Sequence, residues 1–594
     1  MRQAEMILVG TVAAKDGQWT FKVTESLKSG AAQTGKEKAG KELAVDLSGI
    51  DRAQAESIRG LVGDGADAAP REAVLFTSQE DKKAVGYLHV EGAWLSLAGG
   101  GEGKWQATGL ADKMSGVFAG GTDMLIRMSR YLLADGKATV PVAAGTAWMK
   151  DACKVAKLEG AVGGMAAVER MGDKQPYLFV ACDKGDRIFR AKPNDEAFED
   201  VTPRGKLDTR SRQFAWFDLD GDGQADLVSW DGTAVAARLW DKDGTFRPAG
   251  KGAELPDKKA RCLGLVACSN PADGAPAVLV STSGLPVLLA RAADGGWREV
   301  KLPDGPAAAQ AGDGATPCIV ADLDNDGYWD ILQPRAKAGV IWRGKAGGFE
   351  LPTRCDVACD GAGRTAVGDF NQDGLLDIFI SGPKRNELWE NASSSKVCAF
   401  RPVIHRAGSI GRKAGEGLTG AMAVDLNHDG LTDLCLLAAK GSFTYHFNRG
   451  FRCFGEEGDL RLPAPDGAGE ASAGQVACAT ADFNRDGSLD LAVAFADGQI
   501  VCYYNDAFTK PMLRVSHKGG TAGPVTVAVW QGEKFPLCVG AQSIDGHGHS
   551  ACFTLRDSAD CTIKWTPPGS PPRTQKIKFP DKPPEGGLDV ILEP

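Results

Sequence analysis

The sequence predicts a mainly β chain: a seven-bladed β-propeller flanked by a small N-terminal β-barrel-like domain and a C-terminal β-sandwich-like domain. Three observations lead there. An acidic nonapeptide recurs five times between apolar strands. Two further units at the same spacing keep the strands without the acids. Gly (76) and Pro (30) suit many short strands joined by tight turns. At 594 residues the chain exceeds what one core organises, so several domains are expected. A hydrophobic fraction of 43% and a charged fraction of 24% are ordinary for globular proteins.

Residues 1–140 read as a small β-rich domain, possibly OB-like, with a helix. MILVGTV, a KDG turn and TFKVTESL form a hairpin pattern; AVLFTSQ and GYLHVEGAWLSL add strands. SGAAQTGKEKAGKE reads as a polar loop, and Thr122 is placed to cap a helix over DMLIRMSRYLL.

Residues 141–511 hold the repeats. DLDGDGQAD starts at Asp218, DLDNDGYWD at Asp322, DFNQDGLLD at Asp369, DLNHDGLTD at Asp425 and DFNRDGSLD at Asp482, so successive starts lie 104, 47, 56 and 57 residues apart. The first gap spans two periods, and LGLVACSNPADGAPAVLV around residue 266 fills it with strands but no acidic loop. AAVERMGDKQPYLFVAC is a similar unit one period before Asp218. Seven units of about fifty residues, each with room for four strands, describe a propeller, whose circular repetition leaves few open sheet edges.

The acidic loops and the stretch DRIFRAKPNDEAFEDVT resemble FG-GAP/VCBS repeats of integrin α-like propellers, over roughly Val140 to Met512. Residues 512–594 are similar to an ASPIC/UnbV domain in Gly540, Gln542, the Gly546–Gly548 turn, the FTL strand at Phe553 and the final TIKW strand. Alternation of Val525, Val527 and Val529 fits a half-buried strand there.

Calcium takes six to eight oxygens, and alternate positions of a tight loop aim theirs at one centre. The expected ligands are Asp218, Asp220, Asp222, the Gln224 carbonyl and Asp226 in loop one, and Asp322, Asp324, Asp326, the Tyr328 carbonyl and Asp330 in loop two. Loop three offers Asp369, Asn371, Asp373, the Leu375 carbonyl and Asp377; loop four Asp425, Asn427, Asp429, the Leu431 carbonyl and Asp433. Loop five offers Asp482, Asn484, Asp486, the Ser488 carbonyl and Asp490. Gly at the sixth position supplies the sharp turn. Position twelve is Ser229, Gln333, Ile380, Leu436 or Val493, never the Glu of an EF-hand. Seventeen carboxylates occupy these loops, and about five structural Ca²⁺ ions would offset a formal charge of −9. The resemblance implies that such ions are structural, and that the two units without acids are held by packing alone.

No nucleophile, zinc, P-loop or dinucleotide motif appears in a fitting context, so no catalytic residue is expected. Asp545-Gly-His547-Gly-His549 reads as a Gly-rich turn, and His428 as a solvent-facing loop residue. The acidic charge balance argues against nucleic acid. No apolar run approaches the length of a membrane span, so a soluble chain is expected. Fifteen Cys lie mostly in apolar strand-like runs and read as small hydrophobes; Cys538 with Cys552, or Cys355 with Cys359, are possible pairs.

The function expected is a calcium-stabilised binding or scaffold protein, secreted, periplasmic or on the cell surface, with a protein or glycan partner or a place in an envelope complex. Trp329 and Trp342 are candidate sugar platforms, with burial the simpler reading. The alternatives are a polysaccharide lyase or hydrolase on a calcium-loaded propeller, or a structural subunit of an envelope complex.

Overall fold

The computed structural model describes most of residues 4–593; outside the description lie chiefly 29–38, 57–61, 63–68, 141–148, 307–313, 411–417, 461–473, 506–510, 518–523, 545–549 and 581–586, with shorter pieces. The Asp545–His549 turn and most of the polar loop after Lys28 therefore lie outside the described residues.

The N-terminal hairpin forms as expected, Met6–Lys15 against Gln18–Lys28, and belongs to a closed barrel. Seven strands close it, two more than an OB fold uses, through pairing of Met6–Lys15 with Arg71–Glu80. Leu8, Val12, Trp19, Phe21, Leu75, Leu88 and Leu95 fill its interior. The outer face is also apolar where Ile7, Val9, Phe76 and Trp94 meet Met124, Leu125 and Met128 of the helix Thr122–Ala134. Phe451, Cys453 and Leu537 join the same cluster, so the helix is wedged between the barrel and the rest of the chain. Thr122 does begin the helix, but its hydroxyl accepts the Glu91 N–H (3.0 Å) and meets His89 Nδ1 (3.0 Å).

From Val162 onward the described residues form successive antiparallel sheets of four strands in meander order, the second carrying a short fifth. Sheet one spans Val162–Arg170 to Ala197–Asp200, sheet two Gln213–Phe217 to Phe246–Pro248, and sheet three Cys262–Ser269 to Trp297–Val300. Sheet four runs from Ile319–Ala321 to Thr353–Cys355, sheet five from Arg364–Gly368 to Phe400–Pro402, and sheet six from Leu418–Val424 to Phe454–Leu460. Sheet seven takes Gln475–Ala481, Asp490–Phe495 and Gln499–Asn505, and its fourth strand, Met149–Lys157, comes from before sheet one.

Second strands such as Asp377–Ser381 and Asp433–Ala438 are buried at every position because each sheet is covered on both faces. Phe179 meets Trp216 between sheets one and two, and Phe379 and Leu388 meet Leu434 between five and six. Ile500 and Cys502 of sheet seven share a core with Leu178 and Val180 of sheet one, so the last sheet packs on the first. Each fully buried Leu, Ile or Phe contributes roughly 1.5–3 kcal/mol of transfer free energy.

Beyond sheet seven, two small sheets share the core of Leu513, Val515, Val527, Val529, Phe553, Ile563 and Leu592. The strand Val525–Gln531 is buried on both faces rather than one. Its second face lies on the sheets before it: the Thr526 hydroxyl donates to the Asp322 carbonyl (2.9 Å), and Ala528 joins the core between sheets four and five. All fifteen cysteines are free thiols, so neither suggested pair is bonded. No helix among the described residues is long and apolar enough to cross a membrane.

His89 supplies a pH test of the barrel. Its ring sits edge-on to Trp94 and Phe118, and burial pushes the imidazole down to about 3. The folded chain keeps it neutral while the unfolded chain protonates it below about 6.5. Its contribution is therefore complete above that pH and drains as pH falls toward 3, by about 1.4 kcal/mol per unit. Urea midpoints at pH 7 and pH 5 should separate less in His89→Phe than in the parent; equal separations would contradict this.

Candidate metal centres

The five acidic loops join the first and second strands of sheets two, four, five, six and seven. They share one backbone plan. Position six is Gly at φ between 84° and 92° in all five, as Gly223, Gly327, Gly374, Gly430 and Gly487. Position four is left-handed too, and there the residues are Gly221, Asn325, Gln372, His428 and Arg485. The first Asp folds back over its loop: Asp369 accepts from Asp373 N (3.1 Å) and Gly374 N (2.9 Å), and Asp218, Asp322 and Asp425 do the same with small shifts in partner. Asp222, Asp326, Asp373, Asp429 and Asp486 at position five each accept the N–H of position seven at 2.7–2.9 Å. That bond orients the residues whose carbonyls were expected to face a cation: Gln224, Tyr328, Leu375, Leu431 and Ser488.

Position nine is the most buried. Asp226, Asp330, Asp377, Asp433 and Asp490 are 0–1% exposed. One oxygen accepts the N–H of position two of the same loop: Leu219, Leu323, Phe370, Leu426 or Phe483. The other accepts an N–H at the end of the third strand, from Trp240, Gly344, Asn391, Asn448 or Asn505, at 2.7–2.9 Å. This aspartate latches three strands together; in the fifth loop Asp490 Oδ2 also accepts the Asn484 N–H (3.3 Å).

The donor set fits a hard cation. Oxygens of Asp218, Asp220 and Asp226 lie within 4.8 Å of one another, as do those of Asp322, Asp324 and Asp326. Loss of water raises the buried acids: Asp226 and Asp369 to about 7, Asp322 and Asp425 to about 8, Asp482 to about 6, and Asp330, Asp377, Asp433 and Asp490 well above the ordinary range. Their acidic neighbours in each loop push the same way. Asp482 Oδ1 is buried with no hydrogen-bond partner. Asn371, Asn427 and Asn484 replace the second carboxylate and bond the Asp two residues on, at 2.9–3.2 Å.

Loop two carries a cation of its own. Arg343 pairs with Asp324 (2.5 Å) and Asp326 (3.2 Å), and the Cys398 thiol approaches Asp330 (3.8 Å); neither was visible in the loop motif. The two units without acids are not held by packing alone. In sheet one, Asp186 accepts from Cys182 N, Ser211 N and the Thr209 hydroxyl, and Asp173 pairs with Arg190. In sheet three Asp273 binds Asn270 and Arg298.

His428 does not face solvent. It is buried, its Nε2 accepts the Leu489 N–H (2.8 Å), and its Nδ1 meets the Thr554 hydroxyl (3.3 Å) of the C-terminal sheets. Those sheets lie on loops two to four. A Cβ on Gly327 would come 2.8 Å from the Pro567 carbonyl, and one on Gly374 2.7 Å from Trp530. Trp329 and Trp342 are buried in the core between sheets three and four and offer no platform. Near loops four and five a cavity of about 500 Å³ is lined by Glu169, Asp482, Arg485, Arg514, Gln542 and Ser550.

The position-nine latch gives a direct test. Asp377→Asn keeps the volume but turns an NH₂ toward one of two buried N–H groups, leaving that donor unsatisfied. A loss of roughly 2–4 kcal/mol in urea unfolding is expected. A loss below about 1 kcal/mol would show that the latch carries little.

An FG-GAP-like repeat family model matches residues 171–229, 369–436 and 425–493. Comparison with curated proteins finds no match. Similar solved structures include an Agrocybe aegerita lectin that recognises non-reducing terminal N-acetylglucosamine, at 16% identity and TM-score 0.38, covering 60% of this chain and 95% of that one. YCF48 bound to a D1 peptide is similar at 10% identity and TM-score 0.36, covering 60% and 95%. YCF48 from Cyanidioschyzon merolae is similar at 12% and 0.36, covering 60% and 100%. The chain carries FG-GAP-like repeats in a mainly β, propeller-like fold.

Proposed function

We propose that this chain is a calcium-stabilised binding or scaffold protein without catalytic activity, built on one closed seven-bladed propeller. In this reading the seven sheets are its blades, and the acidic loops, as in integrin-like propellers, hold structural Ca²⁺. The C-terminal sheets are an ASPIC/UnbV-like sandwich that caps them. The observation that carries the reading is the state of loops three and four. Each gathers three aspartates, of which Asp369, Asp377 and Asp433 are buried and Asp373, Asp425 and Asp429 half-buried, and among the described residues no Arg or Lys is seen bonded to Asp369, Asp373, Asp377, Asp425 or Asp433. Clustered buried carboxylates are repulsive unless a cation joins them, and a divalent ion with oxygen preference suits this donor set.

The reading extends to location and partner. Extracellular calcium modules work with Kd values of roughly 10⁻⁴–10⁻³ M, which suits a chain exported to the periplasm, the cell surface or the medium. The fifteen free thiols contribute no covalent staple, which leaves packing, the acid latches and bound cations to hold the ring. A rigid ring with acidic loops two to four covered by a second domain presents its other loops to a protein or glycan.

Thermal unfolding in calcium and in chelator tests the cation. Calcium at 100 times Kd stabilises by about 2.7 kcal/mol per site, so Tm in chelator should fall by about 5 °C or more. An unchanged Tm would contradict structural calcium. Retention of a specific protein or glycan from envelope extract by the calcium-loaded chain, lost in chelator, is the result expected for a binding module. Release of reducing ends or unsaturated sugars from polysaccharide would instead mark an enzyme.

A further inference from the structure

Loops two to five are tied to one another by side-chain amides that the acidic motif does not contain. The third strands of sheets five, six and seven each end in Asn: Asn391, Asn448 and Asn505. Each is 0–1% exposed. The Asn391 amide donates to the Leu323 carbonyl of loop two (2.8 Å) and to the Leu376 carbonyl of its own loop three (3.1 Å). Asn448 does the same for Phe370 of loop three (2.8 Å) and Thr432 of loop four (3.1 Å). Asn505 joins Leu426 of loop four (2.9 Å) to Leu489 of loop five (3.1 Å).

These amides complete a continuous path. The residue whose carbonyl receives the amide is position two of a loop, and its own N–H is held by that loop's position-nine Asp. The Asn backbone N–H is held by the position-nine Asp of the next loop. The path therefore runs Asp330, Leu323, Asn391, Asp377, Phe370, Asn448, Asp433, Leu426, Asn505, Asp490. A second line of bonds supports it from position four. Asn325 of loop two donates to the Gly374 carbonyl of loop three (3.4 Å), and His428 of loop four accepts from Leu489 of loop five (2.8 Å).

Loop one stands outside the path. Its latch ends at Trp240, an indole that replaces the Asn, and sheet three beyond it has no acidic loop to join. In sheet four the latch ends at Gly344, two residues past the third strand Gly339–Trp342, and it has no side chain to reach back toward sheet three.

We infer that loops two to five take up their cations as one cooperative array while loop one binds alone, an inference that rests on the calcium reading above. At the end of the array Asp482 meets Arg514 through Oδ2 (3.6 Å), while its Oδ1 is buried with no hydrogen-bond partner. A cation in one loop fixes the carboxylates at positions one and nine, and with them position two and the neighbouring Asn. The next loop then has less of its frame left to order, so its cation binds more tightly.

Calcium titration of the full chain, by calorimetry and equilibrium dialysis, tests this. A steep class of four sites with a Hill slope above 1 and one separate site with a slope of 1 are expected. Five sites of slope 1 would overturn the array while leaving calcium binding intact; no bound calcium would overturn both. Asn448→Ala cuts the path between loops three and four and should split the steep class into two pairs, weakening it by ~5-fold or more without touching the separate site. Asp220→Asn with Asp222→Asn should remove the separate site and leave the steep class unchanged. Should Asn448→Ala fail to fold, the parent titration and this second variant still decide the matter, because loss of steepness in the double variant would contradict the separation.

Discussion

A carboxylate buried with a backbone N–H on each oxygen is the constraint on which the rest of this structure depends. Position nine of every acidic loop is such a group, and its two bonds fix the loop to the start of the second strand and to the end of the third. The bond on the third-strand side is short in all five, 2.7–2.9 Å, and the bond to position two spans 2.8–3.4 Å; an ionised acceptor in a buried site strengthens both. The same burial penalises the charge, and two or three more aspartates in each loop add to the penalty. In the proposed reading a divalent ion would resolve the conflict: it would remove the repulsion, keep the latch ionised, and leave both backbone donors satisfied. Loop two shows a partial alternative, with the Arg343 guanidinium reaching the acids from the third strand.

The latch also explains how the flanking domains are placed. The C-terminal sheets rest on loops two to four, where glycine at position six leaves room for Trp530 and Pro567 to approach. Arg127 of the N-terminal helix donates to the Asn371 and Gln372 carbonyls of loop three at 2.6 Å each. Arg452, with its side chain fully buried, pairs with Asp123 at the start of the helix (3.0 Å) and with Glu390 of sheet five. Cutting such a buried pair leaves an uncompensated charge, so barrel, helix and sheets five and six are expected to unfold together.

Much of this was legible in the sequence, for physical reasons that differ by element. The acidic loops announce themselves because several aspartates in nine residues have few other uses, and their period gives the sheet order. The barrel hairpin follows from its apolar runs and turn. The Asn clasps do not stand out, because one Asn at a strand end is ordinary; only NELWEN, FTYHFN and QIVCYYN set side by side show a third-strand pattern. His428 was misread because a loop position between two acids normally faces water, and no local feature says that Thr554, 126 residues later, covers it. Strand Met149–Lys157 completes sheet seven from the far end of the repeat region, a pairing that period alone does not reveal. The second buried face of Val525–Gln531 is of the same kind, since it depends on a neighbouring domain.

The central claim is that position-nine acids, bridging amides and bound cations form one mechanical unit. Amide hydrogen exchange at Phe370, Asn391, Leu426, Asn448 and Asn505, followed with and without calcium, tests it most directly. These amides should be protected together in calcium and should exchange with a common, faster rate in chelator, while Trp240 N–H of loop one follows its own course. Separate rates at each loop, or protection indifferent to calcium, would contradict the claim.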